Sequence, residues 1–284
     1  MPRPFAPVVA PPLPEQQGQT FPRFVELMQR LLAPDGCPWD REQTFESLRR
    51  FVIEEACEVV DAIEDGDRKE LCGELGDLMF QVVFQAEVAR AEGSFGPDDV
   101  IAAICEKLVR RHPHVFGDVT VEGGATEVLQ NWERIKAAER AAKGGEDRGV
   151  LGSVAKSLPA LTRAQRIGEK VARVGFDWPD ARGSREKVAE EVAELDAAIA
   201  SGDRDRMEAE LGDVLFALVN LSRHLHIDPE GALRRTIGKF TRRFDHVESR
   251  VRDVHGGWPA SSTDDRLTLE ELDSYWEEAK DAGL

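Results

Sequence analysis

Carboxylates recur in this sequence at a spacing that would bring several of them to one point. The same intervals between acids occur twice, in EEACEVVDAIEDGDRKELCGELGD (54–77) and in EEVAELDAAIASGDRDRMEAELGD (190–213). The shared pattern is Glu-Glu-x-x-Glu followed, after fifteen residues, by Glu-x-x-Asp. The eight candidate metal ligands in this pattern are Glu55, Glu58, Glu74 and Asp77 in the first copy, and Glu191, Glu194, Glu210 and Asp213 in the second.

Helical periodicity places these acids beside apolar stripes. Each residue turns a helix by about 100°, so residues three and four apart share a face. Glu55 and Glu58 then border a stripe, and the other three acid pairs border one in the same way. The four stripes are Val52, Ala56, Val59 and Ile63; Leu71, Leu75, Leu78 and Val82; Val188, Val192, Leu195 and Ile199; and Met207, Leu211, Val214 and Leu218. If paired helices bury these stripes against each other, two acid pairs converge.

An ordinary solvated acidic face is the alternative interpretation of these glutamates. It predicts acids opposite the stripe, with Lys or Arg four residues later, and none of the eight acids has such a base. Converging carboxylates about 4 Å apart repel by roughly 4 kcal/mol per pair at an effective dielectric of about 20. The pattern favours a site for Mg²⁺, with Mn²⁺ as a substitute, over paired or protonated structural acids. A histidine-containing di-iron site fits less well, because no motif acid is followed by histidine at Glu-x-x-His spacing.

Positive side chains occur at helical spacing later in the second copy. Lys239, Arg242 and Arg243 lie at i, i+3 and i+4, and the equivalent residues of the first copy are Lys107, Arg110 and Arg111. Taken alone, such a cluster is more typical of surface charge. Beside a metal site it favours polyphosphate binding, because a cation and arginine can share the phosphates.

Two further residues could contact a nucleoside. Asn220 lies two helical turns beyond Asp213 and could hydrogen-bond a base or a sugar, with a surface amide as the alternative. Trp276, which follows Tyr275, could stack on a base, while core packing is the more ordinary role for at least one of this pair.

The positioning elements are predicted to be helices in an all-α fold. Proline and glycine are sparse in 40–95 and 184–227, which are rich in Ala, Leu, Glu and Arg and lack alternating strand patterns. GCPW (36–39) matches GFDW (175–178), so the whole arrangement is duplicated. Each copy is predicted to contain a short helix, a Gly-x-x-Trp turn, two long helices joined at Gly-Asp, and a basic helix.

The predicted organisation is two tandem modules between flexible segments. It consists of a disordered proline-rich tail (1–20), a first domain (21–140), a linker (141–157) and a second, principal catalytic domain (158–284).

Composition bounds the function and the environment. Acids outnumber bases by 54 to 37, giving a net charge of −17, which argues against nucleic-acid binding. Four cysteines form no CxxC pair, which is typical of free thiols in a reducing cytoplasm rather than of a zinc site or a disulfide framework. No apolar run is suited to crossing a membrane, and we expect no membrane partner.

Together these motifs resemble those of the MazG nucleoside triphosphate pyrophosphohydrolases. The resemblance rests on the duplicated acids, with GCPWDREQT (36–44) before the first set and HPHVFGDV (112–119) after it, and extends over roughly residues 21–281. It implies an all-α enzyme that converts NTPs or dNTPs, including damaged ones as a candidate substrate, to the monophosphate and pyrophosphate with Mg²⁺. It also implies four-helix modules completed by dimerisation, and hence a homodimer.

The resemblance also implies roles for individual residues. The eight motif acids would hold metal, and Glu190 and Glu54 would orient or deprotonate the attacking water. Beside these roles, the candidate substrate contacts in this sequence are Lys187, Asn220, Lys239, Arg242, Arg243 and Trp276. The resemblance implies that the second copy carries most of the hydrolysis. The presence of Phe51 and Phe84 where the second copy has Lys187 and Asn220 agrees with this expectation. The competing hypothesis is an acidic helical interaction or regulatory module with a structural or vestigial metal site.

Overall fold

The computed structural model describes residues 20–142, 149–259 and 267–284. Within these ranges the chain forms twelve helices and no strand, which confirms the all-α prediction. Two compact units divide the chain, Met1–Gly144 and Gly145–Leu284. The predicted tail, apart from Thr20, and part of the predicted linker (143–148) lie outside the described residues.

The first unit is built around one long helical hairpin. Its helices are α1 (Phe21–Leu32), α2 (Pro38–Arg41), α3 (Phe45–Asp65), α4 (Arg68–Ala91), α5 (Pro97–Arg111), α6 (Pro113–Phe116) and α7 (Gly124–Ala142). Helices α3 and α4 are the hairpin, α1 packs on α4, and α7 packs on α5. Helix α7 and the short helices α2 and α6 were not predicted from the sequence.

The second unit repeats the hairpin. Its helices are α8 (Ala160–Ala172), α9 (Ala181–Ser201), α10 (Arg204–His224), α11 (Pro229–His255) and α12 (Leu269–Asp281). Helices α9 and α10 are the hairpin, α8 packs on both α10 and α11, and α12 packs on α11. The repeated order of short helix, tryptophan turn, hairpin and basic helix agrees with the duplication in the sequence.

The two hairpin turns have the same local cause. Gly66 and Gly202 end the first helix of each hairpin at φ of 76° and 72°, a left-handed conformation that glycine adopts without a steric penalty. The next residue caps the second helix: Asp67 accepts hydrogen bonds from the amides of Lys69 and Glu70, and Asp203 accepts one from that of Arg206. Two residues therefore reverse the chain and hold the acids of both helices on one side.

The apolar core of the first unit lies where α1, α3 and α4 meet. Its fully buried members are Met28, Leu48, Val83 and Phe84, and Phe51, Phe80 and other partly buried residues pack against them. A smaller cluster in the second unit joins α11 to α12 through Val247, Val251 and Tyr275.

The prediction that the acid-flanked stripes are buried is only partly right. Nine of the sixteen stripe residues are half-buried, and the other seven are 42–55% exposed. The exposed members are Ile63, Leu75, Val82, Val192, Ile199, Leu211 and Leu218. Each hairpin therefore buries part of its stripes and leaves the rest in solvent. No described helix is both long and apolar enough to span a membrane.

Candidate active site

Three of the four predicted acids meet in each hairpin. In the first unit Glu55, Glu58 and Glu74 each offer a carboxylate oxygen within 4.8 Å of the others, and in the second unit Glu191, Glu194 and Glu210 do the same. Asp77 and Asp213 are not part of these closest groups. Asp77 is still near enough to raise the pKa of Glu55, and Asp213 lines an adjoining cavity.

Mutual repulsion marks the acid cluster of the first unit. Burial, and then the charges of Glu58 and Asp77, raise the pKa of both Glu55 and Glu74. A carboxylate whose pKa is raised by like charges is one that a divalent cation would stabilise in its ionised form. These acids could therefore hold a divalent cation.

The acid cluster of the second unit contains a cation of its own. Lys187 Nζ donates to Glu190 at 2.8 Å and lies 2.7 Å from a carboxylate oxygen of Glu191, and these bonds raise the pKa of the lysine. Arg206 Nε donates to Glu210 at 3.4 Å. Each base lies four residues before an acid of the cluster, Lys187 before Glu191 and Arg206 before Glu210, whereas an ordinary acidic face was expected to have its bases four residues after the acids. Burial, and then Glu191 and Glu210, nevertheless raise the pKa of Glu194.

A cavity of about 200 Å³ opens beside the acids of the second unit. It brings together four predicted site residues, Lys187, Glu191, Asp213 and Asn220. The other lining residues were not predicted as site residues. They are Gly168, Val171, Phe176, Asp177, Trp178, Ser184, Phe216 and Ala217.

Glycine lets the tryptophan turn close one wall of this cavity. A side chain at Gly183 would clash with the Trp178 ring, so the ring lies directly against the first turn of α9. The Gly-x-x-Trp signature that revealed the duplication was therefore also the signal for this wall.

Arg223 links the tryptophan turn to Asn220. Its guanidinium donates to the carboxylate of Asp177, which His224 also contacts at 3.1 Å, and its Nε donates to Asn220 Oδ1 at 3.0 Å. The hydrogen bond from Arg223 holds the pKa of Asp177 below its usual range. Because a guanidinium only donates, the amide oxygen of Asn220 must face Arg223, which leaves its NH₂ group for another partner.

Apolar residues occupy the equivalent positions in the first unit. Leu48, Phe51 and Phe84 stand 136 positions before Ser184, Lys187 and Asn220. The Trp39 ring meets the Phe51 ring edge-on at 5.9 Å, and Phe80 contacts Phe84 at 5.4 Å. The first unit thus has packed side chains where the second has a cavity. It also has Glu70 in place of Arg206.

The predicted basic cluster and Trp276 lie together, but in the described part of the chain they are not among the residues that line the cavity. Arg243 donates to the backbone carbonyl of Leu284, and its guanidinium lies 5.7 Å from the centre of the Trp276 ring. The Trp276 ring also packs against the Phe240 ring, with 4.9 Å between the ring centres. Lys239 and Arg242 on the same helix are exposed.

The equivalent arginines of the first unit are held by an acid. Arg110 and Arg111 both donate to Glu139 of α7, which lowers the pKa of that carboxyl to about 2. Of the two proposed water-orienting acids, Glu54 is exposed and Glu190 is paired with Lys187.

Fold and site define a class: tandem all-α hairpins, each with a carboxylate cluster suited to a hard cation, one of them beside an aromatic cavity. The model of the MazG nucleotide pyrophosphohydrolase domain matches residues 43–116 and 183–248. A nucleoside triphosphate pyrophosphohydrolase/pyrophosphatase MazG of Thermotoga maritima is 42% identical, covering 94% of this chain and 98% of that protein. A nucleoside triphosphate pyrophosphohydrolase of Escherichia coli K12 is 46% identical, covering 91% and 96%. The chain belongs to the MazG family of nucleotide pyrophosphohydrolases.

Proposed function

We propose that this protein hydrolyses nucleoside triphosphates, ribo- or deoxyribo-, to the monophosphate and pyrophosphate, with Mg²⁺ as the cofactor and Mn²⁺ as a substitute. The observation that carries the proposal is the contact between a three-carboxylate cluster and an aromatic cavity in the second unit. Membership of the MazG family and the printed names of the relatives support the same reaction.

The donor set fits a hard divalent cation. All of its atoms are carboxylate oxygens, with no cysteine or histidine in either group of three. Glu191, Glu194 and Glu210 would hold the ion, with Asp213 reaching it from the cavity side. When bound, such an ion supplies positive charge to the phosphate oxygens and lowers the pKa of a coordinated water.

The chain's own residues have distinct roles around that cluster. Lys187 can donate to a phosphate oxygen, because its ammonium already lies at the cavity beside Glu191. Glu190 is exposed and next to the cluster, so it is the candidate to orient or deprotonate the attacking water. Asn220 presents its NH₂ group to an acceptor on the substrate. Trp276 and the basic cluster Lys239, Arg242 and Arg243 are retained as proposed substrate contacts.

The first unit is proposed to bind cations and to turn over substrate slowly. Its acids Glu55, Glu58 and Glu74 converge as those of the second unit do, with Asp77 nearby. The Phe51 and Phe84 side chains occupy the space that a substrate would need. Glu54 therefore has the position of Glu190, but packed aromatic side chains replace the residues that line the cavity of the second unit.

Homodimerisation is proposed from the exposed stripes. Val192, Ile199, Leu211 and Leu218 are 42–55% exposed, although they lie on the two helices that carry the metal site. Monomeric proteins rarely leave such contiguous apolar surface in water. A second copy of the chain is the proposed occupant, and light scattering coupled to size-exclusion chromatography would measure the mass.

Product analysis tests the reaction. The protein is incubated with each of the eight common nucleotides and an oxidised guanine nucleotide, with Mg²⁺ or with EDTA, and the products are resolved by ion exchange. We expect monophosphate and pyrophosphate, and no product with EDTA. Release of orthophosphate would contradict the proposed reaction but would not contradict the proposed metal site. No product from any nucleotide would favour an acidic interaction or regulatory module.

A further inference from the structure

Ser184 carries a hydroxyl for which the described structure provides no partner. It lies in the second turn of α9, is 1% exposed, and its Oγ is buried without a hydrogen bond to any described residue. It is also one of the residues that line the cavity. Buried hydroxyls are nearly always hydrogen-bonded, so this one requires an explanation.

The usual helical solution is used elsewhere in the same hairpin. Ser201 Oγ donates to the carbonyl of Ala198 at 2.7 Å, and Ser222 Oγ donates to that of Val219 at 2.7 Å. Neither of these serines lines the cavity. A serine in this hairpin can therefore satisfy its hydroxyl on its own helix, and Ser184 does not do so.

The fold does not require a serine at this position. Leu48 stands 136 positions earlier, at the equivalent point of α3, and is fully buried in the apolar cluster of the first unit. An apolar side chain thus packs well in this part of the hairpin. The serine occurs in the unit whose equivalent space is open.

The surroundings indicate which part of a substrate would meet the hydroxyl. The cavity is walled by the aromatic rings of Phe176, Trp178 and Phe216, and its other neutral polar side chain is Asn220. Aromatic walls with a hydroxyl and an amide suit a nucleoside, whose flat base is apolar on its faces and polar at its edge. The phosphates would instead be bound by Lys187 and by the cation that the carboxylate cluster is proposed to hold.

We infer that the Ser184 hydroxyl forms a hydrogen bond with an uncharged polar group of the bound nucleoside, and that Ser184 is a specificity-determining residue of the site. The inference rests on the proposed function. A hydroxyl both donates and accepts, so either a sugar hydroxyl or a heteroatom of the base can be its partner. The two sources are separated by substrate analogues.

The test compares Ser184→Ala with the wild type on a matched set of nucleotides. The set contains the best of the eight common triphosphates and its 2′-deoxy, 3′-deoxy and deaza-base analogues. Loss of one neutral hydrogen bond is expected to lower kcat/KM roughly 3- to 10-fold on the parent nucleotide, mainly through KM. The loss should vanish for the one analogue that lacks the bonded group. An equal loss on every analogue, or no loss on any, would overturn the inference.

Two controls keep this result separate from folding and from the proposed function. Ser222→Ala removes a hydroxyl that bonds only to its own helix, and it should leave the discrimination among analogues unchanged. Without nucleotide, Ser184→Ala should melt at or above the wild-type temperature, whereas a lower Tm would show that the hydroxyl is structural and would overturn the inference. If the wild type releases no pyrophosphate from any nucleotide, the proposed function fails. If the wild type is active and Ser184→Ala matches it in every assay, only this inference fails.

Discussion

Phe84 and Asn220 occupy equivalent positions in the two units, so truncating each to alanine should separate stability from catalysis. Phe84 is fully buried against Met28, Leu48 and Val83. Core Phe→Ala changes lower the free energy of unfolding by about 3–5 kcal/mol, and a unit of this size loses about 4 °C in Tm per kcal/mol. Phe84→Ala should therefore lower the melting temperature of the first unit by ~12–20 °C. Asn220 contributes one hydrogen bond from Arg223, worth about 0.5–1.5 kcal/mol, or ~2–6 °C.

Activity should change in the opposite order. Asn220→Ala removes a side chain from the cavity wall together with its NH₂ donor. We expect kcat/KM to fall at least about tenfold, because the substrate group that accepts this hydrogen bond is then left unpaired in the site. Phe84→Ala, assayed below its own melting temperature, should keep most of the wild-type kcat/KM, because Phe84 lies in the core of the first unit and not at the cavity beside the acids of the second.

Scanning calorimetry and pyrophosphate release measure the two effects on the same preparations. Phe84→Leu is the matched control, since it retains most of the apolar volume and should recover much of the lost stability. The reasoning would be refuted if Phe84→Ala abolished activity in the folded protein while Asn220→Ala left it intact. Equal activity losses at the two positions would equally remove the division of labour between the units.

Three further predictions concern the charges. Glu194→Gln should lower the rate of pyrophosphate release at least about 100-fold, because even the loss of a residue that only hydrogen-bonds to a metal ligand lowers activity about 10- to 100-fold. Glu58→Gln should lower the rate far less. Equal losses would contradict a principal site in the second unit. Added Mg²⁺ should raise Tm more at about pH 8 than at about pH 5, because the raised pKa of Glu194 lets protons compete with the ion as the pH falls. An increase in Tm that does not depend on pH would exclude these acids as ligands. Glu139→Gln should destabilise the first unit at neutral pH and match the wild type near pH 2. Hydrogen bonds from Arg111 and Arg110 lower the pKa of Glu139 from 4.5 to about 2, so its ionised carboxylate stabilises the fold above pH 4.5, and this stabilisation is lost as the pH falls from 4.5 towards 2. A constant difference in melting temperature across that range would contradict this last account.

Local features of the structure could be predicted because their causes are local. The helices follow from periodicity, and the hairpin turns follow from glycine and aspartate at adjacent positions. The convergence of Glu191, Glu194 and Glu210 follows from acids at a fixed offset on two helices that a two-residue turn forces together.

The cavity could not be predicted, because residues distant along the chain build it. Gly168, Trp178, Ser184 and Phe216 come from α8, the tryptophan turn, α9 and α10, and only their packing brings them together. The burial of the stripes was overestimated for a related reason. Periodicity shows that a helix has an apolar face, but not whether the same chain or a second one covers it.

The unequal interiors of the two units matter for enzymology. A chain with two complete Glu-Glu-x-x-Glu motifs invites a rate normalised to two catalytic centres. The second motif adjoins a cavity, whereas Phe51 and Phe84 are packed at the equivalent positions of the first unit, so under the proposed function the motifs outnumber the places where a substrate fits. Specific activity expressed per motif would therefore be half the value expressed per chain, and the count of carboxylate clusters is a poor denominator for turnover in duplicated enzymes of this kind.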